Sequence, residues 1–207
     1  MMAIVDYGSG NIRAIERLCQ LSDIAFQRVS DPEAISRSTS IILPGVGAID
    51  TVMASLHESG VADAILAAVG SGRTTLLGIC VGMHALARRS GEGEAECLAL
   101  IDGDVERFDA ELIEVSAKLP HMGWNSLTMP APHPVLDGID LDRGSYFLHS
   151  FRYANTAPAE IVATADHGGA FPAIVGKNNV LGVQFHPEKS HGNGVRLIKN
   201  FSELRPC

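Results

Sequence analysis

The sequence is poor in cysteine, in long apolar runs and in positive charge. Its four cysteines, Cys19, Cys80, Cys97 and Cys207, form no C-x-x-C pair. That is too few for a disulfide framework in 207 residues and the wrong spacing for a structural zinc, so a reduced compartment is expected; no metal and no cofactor are expected either. No run of about 18 apolar residues occurs that would span a bilayer. Asp6 also closes the apolar start Met1-Met2-Ala3-Ile4-Val5 where a signal peptide needs its core, so neither membrane nor secretion is expected and the cytoplasm is the expected location. Acids outnumber bases 24 to 16, the net charge is -8 and the pI is near 5.4. A general pull toward phosphate backbones is therefore missing, and nucleic acid is not an expected partner. Internal repeats and low-complexity linkers are absent too.

What is present is a foldable composition. With 46% hydrophobic and 19% charged residues, the chain can bury enough apolar surface to offset its entropy, and its length suits a single domain over residues 1–207. Strand-like runs alternate with amphipathic stretches in the first half. Residues 3–7 read as a strand and Gly8-Ser9-Gly10-Asn11 as a turn that caps a helix running to Leu21, with Ile12, Ile15, Leu18 and Cys19 on its apolar face. Residues 40–43 form a second strand, ended by Pro44-Gly45-Val46-Gly47 and followed by a helix from Ile49 that stops near Gly60. Residues 74–79 form a third, with Cys80 at its end and a helix over 83–89. This is the pattern of an α/β fold with a mostly parallel central sheet covered by helices on both faces, whose ligand crevices lie beyond the carboxyl ends of the strands. From about residue 99 to 185 the pattern shifts to short pieces at 99–101, 146–148, 160–164 and 180–183, expected as an added antiparallel portion of the same sheet. A closing helix carries Val195, Leu197, Ile198, Phe201 and Leu204.

Gly78-Ile79-Cys80-Val81-Gly82 has the form of a nucleophile elbow, whose glycines make room for a sharp strand-to-helix turn. Such a turn projects the thiol, aims helix N–H groups at the reacting atom and offers the Val81 amide to an oxyanion. A buried structural cysteine between two ordinary glycines fits the same five residues. Among the eight histidines, His57 falls on the polar side of a helix, His133 between prolines, and His167 and His191 in glycine-rich loops, all read as solvated. His186 differs because it ends the run from Val180 to Phe185 and has Glu188 two residues on, where an extended chain points to the same side. Cys80, His186 and Glu188 then have the types of a nucleophile, a base and its orienting carboxylate, although His-Pro-Glu taken alone is also an ordinary exposed turn.

Taken jointly, the segments resemble class I, triad-type glutamine amidotransferases, and among these the glutaminase subunits of imidazole glycerol phosphate synthases in histidine biosynthesis. The stretches that carry the resemblance are Asp6 to Asn11, Leu43 to Ala48, Gly78 to Met83, Pro120-His121-Met122-Gly123-Trp124-Asn125, Tyr146 to Ser150, and Gly182 to Ser190, in the family's order over nearly the whole chain. The resemblance implies that Cys80 attacks the glutamine carboxamide, His186 protonates the departing ammonia and Glu188 holds the imidazole. It implies oxyanion donors at Val81 and in the turn holding Val46 and Gly47, and a glutamine site at Gly45, His84, Glu92, His149 and Ser150. It also implies a (β/α)8 barrel synthase subunit as heterodimer partner, receiving the ammonia across an interface that includes Asn11, Trp124, Tyr146 and Lys189. Where the family has Cys-Leu-Gly-Met-Gln, this chain has Cys80-Val81-Gly82-Met83-His84, which replaces a substrate-holding amide by an imidazole. The plainer alternatives are a solvated loop acid for Glu92, core packing for Trp124 and a surface lysine for Lys189, while Cys19, Cys97 and Cys207 look structural or incidental. Two rivals keep the chemistry but change its use: a paralogous glutaminase serving a sugar-amidating partner in surface polysaccharide synthesis, and an elbow-cysteine hydrolase with another substrate.

Overall fold

The computed structural model describes residues 1–109 and 118–205; Cys207 lies outside them. The chain runs β1 (Met2–Val5), α1 (Ile12–Leu21), β2 (Phe26–Val29), α2 (Pro32–Ser36), β3 (Ser40–Gly45), α3 (Ile49–Glu58), α4 (Val61–Gly70), β4 (Thr75–Cys80) and α5 (Val81–His84). It continues with β5 (Arg89–Ser90), β6 (Asp104–Arg107), β7 (His121–Asn125), β8 (Ser145–His149), β9 (Phe151–Ala154), β10 (Ile161–Asp166), β11 (Ala170–Lys177), β12 (Val180–Val183) and α6 (His191–Glu203). β1, β3, β4 and β12 are buried throughout, which is what a strand covered on both faces requires of its sequence. They lie at the centre of a seven-stranded sheet of order β10-β11-β12-β4-β3-β1-β2.

The pairings β12–β4, β4–β3, β3–β1 and β1–β2 are parallel, and β10–β11 and β11–β12 antiparallel. The connection β1 to β2 and the connection β2 to β3 run in opposite directions across the sheet, so right-handed crossovers put their helices on opposite faces. Accordingly α1 packs with α6, and α2 and α3 pack with α4. α1 buries the stripe Ile12, Ile15, Leu18 and Cys19, and Asp31 caps α2 through the Ala34 amide at 2.9 Å with Pro32 in the first turn. The expected α/β architecture is thus present. No single helix among the described residues is long and apolar enough to cross a membrane; α3 and α4 pass that test only as a pair bent by 83°.

Four expectations need correction. The helix expected over 83–89 is the single turn α5, because the Ala85, Leu86 and Ala87 carbonyls are taken by amides of Leu98, Ala99, Leu100 and Ile101. Residues 99–101 are therefore a strap over that turn, not a strand. Among the described residues, only β10 and β11 add antiparallel strands to the main sheet, whereas β8 pairs with β7 and β9 with β6 in two small separate sheets. Residues 180–183, expected in the antiparallel portion, pair antiparallel with β11 on one side but parallel with β4 on the other, so they join the two portions. The apolar run alone could not tell these cases apart, since partners lie far away in sequence.

α5 sits close on the sheet because there is no side chain beneath it. Gly78 of β4 and Gly182 of β12 are register partners; a Cβ on Gly78 would meet the Gly82 carbonyl carbon at 2.7 Å, and one on Gly182 the Met83 Cγ at 2.6 Å. On its other side, a Cβ on Gly82 would strike the Leu43 carbonyl. Gly82→Ala is therefore expected to cost about 3 kcal/mol or more of folding stability. Gly70→Ala, in open space at the end of α4, should be neutral or stabilising by about 0.5 kcal/mol. Denaturant unfolding of the two variants tests this; a Gly82→Ala protein as stable as Gly70→Ala would mean that the close approach has no energetic weight.

Candidate active site

Cys80 ends β4 and begins α5 with φ 54° and ψ -111°, a left-handed backbone that is unfavourable for a residue with a Cβ. The strain is held by the sheet on one side and α5 on the other. β12 lies next to β4 with Val183 opposite Ile79, so the chain beyond each strand leaves the sheet at the same edge. There His186 comes beside Cys80. Its amide donates to the Tyr146 carbonyl at 2.9 Å, and the Ser190 hydroxyl donates to the His186 carbonyl at 2.7 Å. Glu188 is in a 3-10 turn rather than in extended chain, which corrects the geometric argument but not the pairing: His186 Nδ1 lies 2.9 Å from Glu188 Oε1. A Cβ on Gly194 would strike the Pro187 carbonyl, so the start of α6 presses this turn into place.

Electrostatics favour a charged His186. Burial lowers its pKa, but hydrogen bonds to Cys80 and Glu188 and the charges of both groups outweigh that cost and push it up to about 10. The ring, at the thiol on one side and the carboxylate on the other, is thus suited to move a proton at Nε2 while Nδ1 stays on Glu188.

A pocket of about 310 Å³ opens over this pair, lined by Cys80, Val81, His84 and His186, by Val46 and Gly47, and by Glu92 with residues 148–151. Of the residues named from sequence, it brings together Cys80, Val81, Val46, Gly47, His84, Glu92, His149, Ser150 and His186. Gly45 lies beneath the elbow instead, where a Cβ would meet the Val81 carbonyl carbon at 2.7 Å. His84 is buried, with Nε2 2.9 Å from Gln184 Oε1 and Nδ1 3.9 Å from Glu92 Oε2. Neither His84 Nδ1 nor Glu92 Oε2 has a hydrogen-bond partner among the described residues.

The four expected interface residues lie off the pocket wall. Asn11 is exposed, Trp124 is 41% exposed and stacks on His191 at 5.4 Å, and the Lys189 ammonium lies 5.4 Å over the Tyr146 ring. His167 is not the solvated histidine expected, since it stacks on His121 at 4.1 Å and donates to the Lys118 carbonyl at 2.9 Å.

Sequence reasoning passed over Gln184, which holds His84, and Tyr7 and Ser9, whose hydroxyls donate to the Pro44 and Val46 carbonyls at 2.6 and 2.9 Å. It also gave His121 no role, although the alternation of His121, Gly123 and Asn125 with exposed Met122 and Trp124 was a readable strand signal. No group of three or more His, Cys, Asp or Glu among the described residues is placed to hold a metal ion.

Because the pKa of folded His186 lies above its ordinary 6.5, its contribution to stability is complete below pH 6.5 and is lost as pH rises through about 10. Glu188→Gln keeps the shape and removes the charge, so the His186 pKa should fall by an amount worth at least about a tenfold change in proton affinity. An NMR titration of the imidazole in both proteins measures this, and an unmoved pKa would leave Glu188 without an electrostatic role.

The glutamine amidotransferase class-I family model matches residues 3–204. The imidazole glycerol phosphate synthase subunit HisH of Leptospira interrogans is 38% identical over 204 residues, covering 99% of this chain and 100% of its own. That of Bdellovibrio bacteriovorus is 42% identical over 205 residues, with 99% and 100% covered. A crystal structure of a glutamine amidotransferase superposes with a TM-score of 0.75 at 21% identity over 97% of both chains, a likeness of fold alone. With an elbow cysteine, a carboxylate-held histidine beside it and a family match over nearly its whole length, the chain belongs to the class I glutamine amidotransferases.

Proposed function

We propose that the chain is the glutaminase subunit of an imidazole glycerol phosphate synthase, a single glutamine amidotransferase domain over 1–207 acting in the cytoplasm. The observation that carries the chemistry is the His186–Glu188 pair set beside a strained elbow cysteine; the full-length likeness to HisH subunits supports the pathway.

In this reading the Cys80 thiolate attacks the carboxamide carbon of glutamine. The tetrahedral oxyanion is received by the Val81 amide and by an amide of the Val46-Gly47 turn. Imidazolium His186 gives its proton to the amide nitrogen, the C–N bond breaks, and ammonia leaves behind a glutamyl thioester. His186, now neutral, takes a proton from water as it attacks the thioester; the C–S bond breaks, restoring the Cys80 thiolate beside imidazolium His186, and glutamate leaves with its new carboxyl proton lost to solvent. Glu188 keeps the ring in place through both proton transfers. The buried acceptors without partners, His84 Nδ1 and Glu92 Oε2, suit the substrate's α-ammonium, which brings three donors. Gly45 serves by clearance, and His149 and Ser150 by forming the wall.

The ammonia passes to a (β/α)8 barrel synthase subunit in a heterodimer, with Asn11, Trp124, Tyr146 and Lys189 at the interface. Exposed Met122, Trp124 and Val46 supply apolar area for such a contact. The Val46 carbonyl is held by Ser9 and Gly47 has φ 90°; in this reading the glycine lets the turn take a second peptide orientation, and the partner selects between the two.

Two measurements follow. Cys80→Ala should lower glutamate release by more than about 100-fold while the complex still makes product from added ammonia at about the natural rate; near-normal glutamine hydrolysis would remove Cys80 from the mechanism. Glutamate release by the natural chain should rise by at least about tenfold when the barrel subunit with its ligand is added. Equal rates would count against partner control of the turn.

A further inference from the structure

Across the pocket from the charged His186 stands a second set of rings whose protons are all determined by the main chain. His149, the last residue of β8, has Nδ1 2.7 Å from the Phe151 carbonyl, so Nδ1 carries the proton and Nε2 is a lone pair. His121, its register partner on β7, has Nδ1 2.9 Å from that Nε2 and must donate to it, which leaves His121 Nε2 as an acceptor. Asn125 Nδ2 lies 3.2 Å from His121 Nε2 and 2.7 Å from the Asp166 carbonyl. The carbonyl identifies that atom as the amide nitrogen, whose two hydrogens serve both acceptors. A carbonyl at each end thus leaves one neutral arrangement, in which Asn125 donates to His121, His121 to His149 and His149 to Phe151.

An added proton breaks the chain at either ring. On His121 Nε2 it faces the Asn125 amide hydrogens, and on His149 Nε2 it faces the His121 N–H. Burial pushes in the same direction, lowering His121 to about 4 and His149 well below its ordinary value. The titratable groups facing the pair are His167, stacked on His121, and His84, across the pocket from His149; like charge on either also disfavours protonation.

His149 and Phe151 both line the pocket, so this chain of hydrogen bonds ends in the pocket wall. Both ring nitrogens of His149 are used within the protein, and it meets a ligand through its wall position rather than through a ring N–H. We infer that His121, assisted by Asn125, is a positioning residue that holds His149 as the neutral Nδ1–H tautomer and thereby fixes the 148–151 wall against which the substrate is held. The inference rests on the glutaminase reading for its kinetic consequence, but not for where the protons are.

Nitrogen-15 NMR of the natural chain tests the proton placement directly. His121 and His149 should each carry hydrogen on Nδ1 and none on Nε2, unchanged between about pH 5.5 and 8. An Nε2–H on either ring, or titration of either ring in that range, overturns the inference. In the complex, His121→Phe keeps a ring against Phe147 but removes the donor, and should raise KM for glutamine about tenfold with kcat within about threefold. His121→Asn places a donor where Nδ1 was and should recover KM to within about twofold of the natural value. An unchanged KM in His121→Phe, or a His121→Asn protein no better than it, overturns the positioning role. Absence of glutamate release from the natural complex would instead defeat the glutaminase reading, with the ring protons still deciding the inference.

Discussion

The parallel pairing of β12 with β4 is the constraint on which the site depends. Four register pairs, from Val180 with Leu76 to Val183 with Ile79, align two segments about a hundred residues apart and bring Cys80 and His186 out of the sheet at one edge. The same pairing sets Gly182 beside Gly78, and these two glycines give the bare patch on which α5 rests. Sheet register and elbow geometry are therefore one packing problem. A side chain at either glycine would lift the helix that positions the Cys80 backbone, and a one-residue slip of β12 would turn its buried side chains to the other face of the sheet and move His186 away from Cys80.

Around that edge the protein treats its histidines in opposite ways with the same means. His186 is buried, yet a carboxylate and a thiol on its two sides hold it charged. His121 and His149 are buried against each other and against Phe147 with only carbonyls and an amide as partners, so they stay neutral. Burial penalises charge in both places; what differs is whether an anion is within reach. The result is one ring that favours the charged form beside Cys80 and a wall whose rings favour the neutral one.

β7 links this wall to the surface. It turns His121 inward and Met122 and Trp124 outward, and its partner β8 carries Tyr146 beneath the Lys189 ammonium while Tyr146's carbonyl holds the His186 amide. A contact on the exposed face thus lies one residue from His121 and one hydrogen bond from His186. Two short strands, outside the main sheet, connect the surface to both sides of the site.

Much of this was legible in the residues. The apolar runs ending in Gly8, Pro44 and Cys80 announced parallel strands with their crevice at one edge, because a strand covered on both faces must be apolar throughout. Glycines at 78 and 82 announced the elbow, since no other side chain permits so tight an approach. Local signals could not show that residues 99–101 strap α5 rather than form a strand, that Glu188 reaches His186 through a 3-10 turn, or that β7 and β8 stand apart from the main sheet. Nor could they place His121 on His149, Gln184 on His84 or Ser9 on the Val46 carbonyl. Composition and period report which faces of a segment are buried, and that was determined by the sequence alone. Which buried groups meet depends on long-range register, and with it the hydrogen-bond partners that decide each ring's proton, so those were decided only by the tertiary structure.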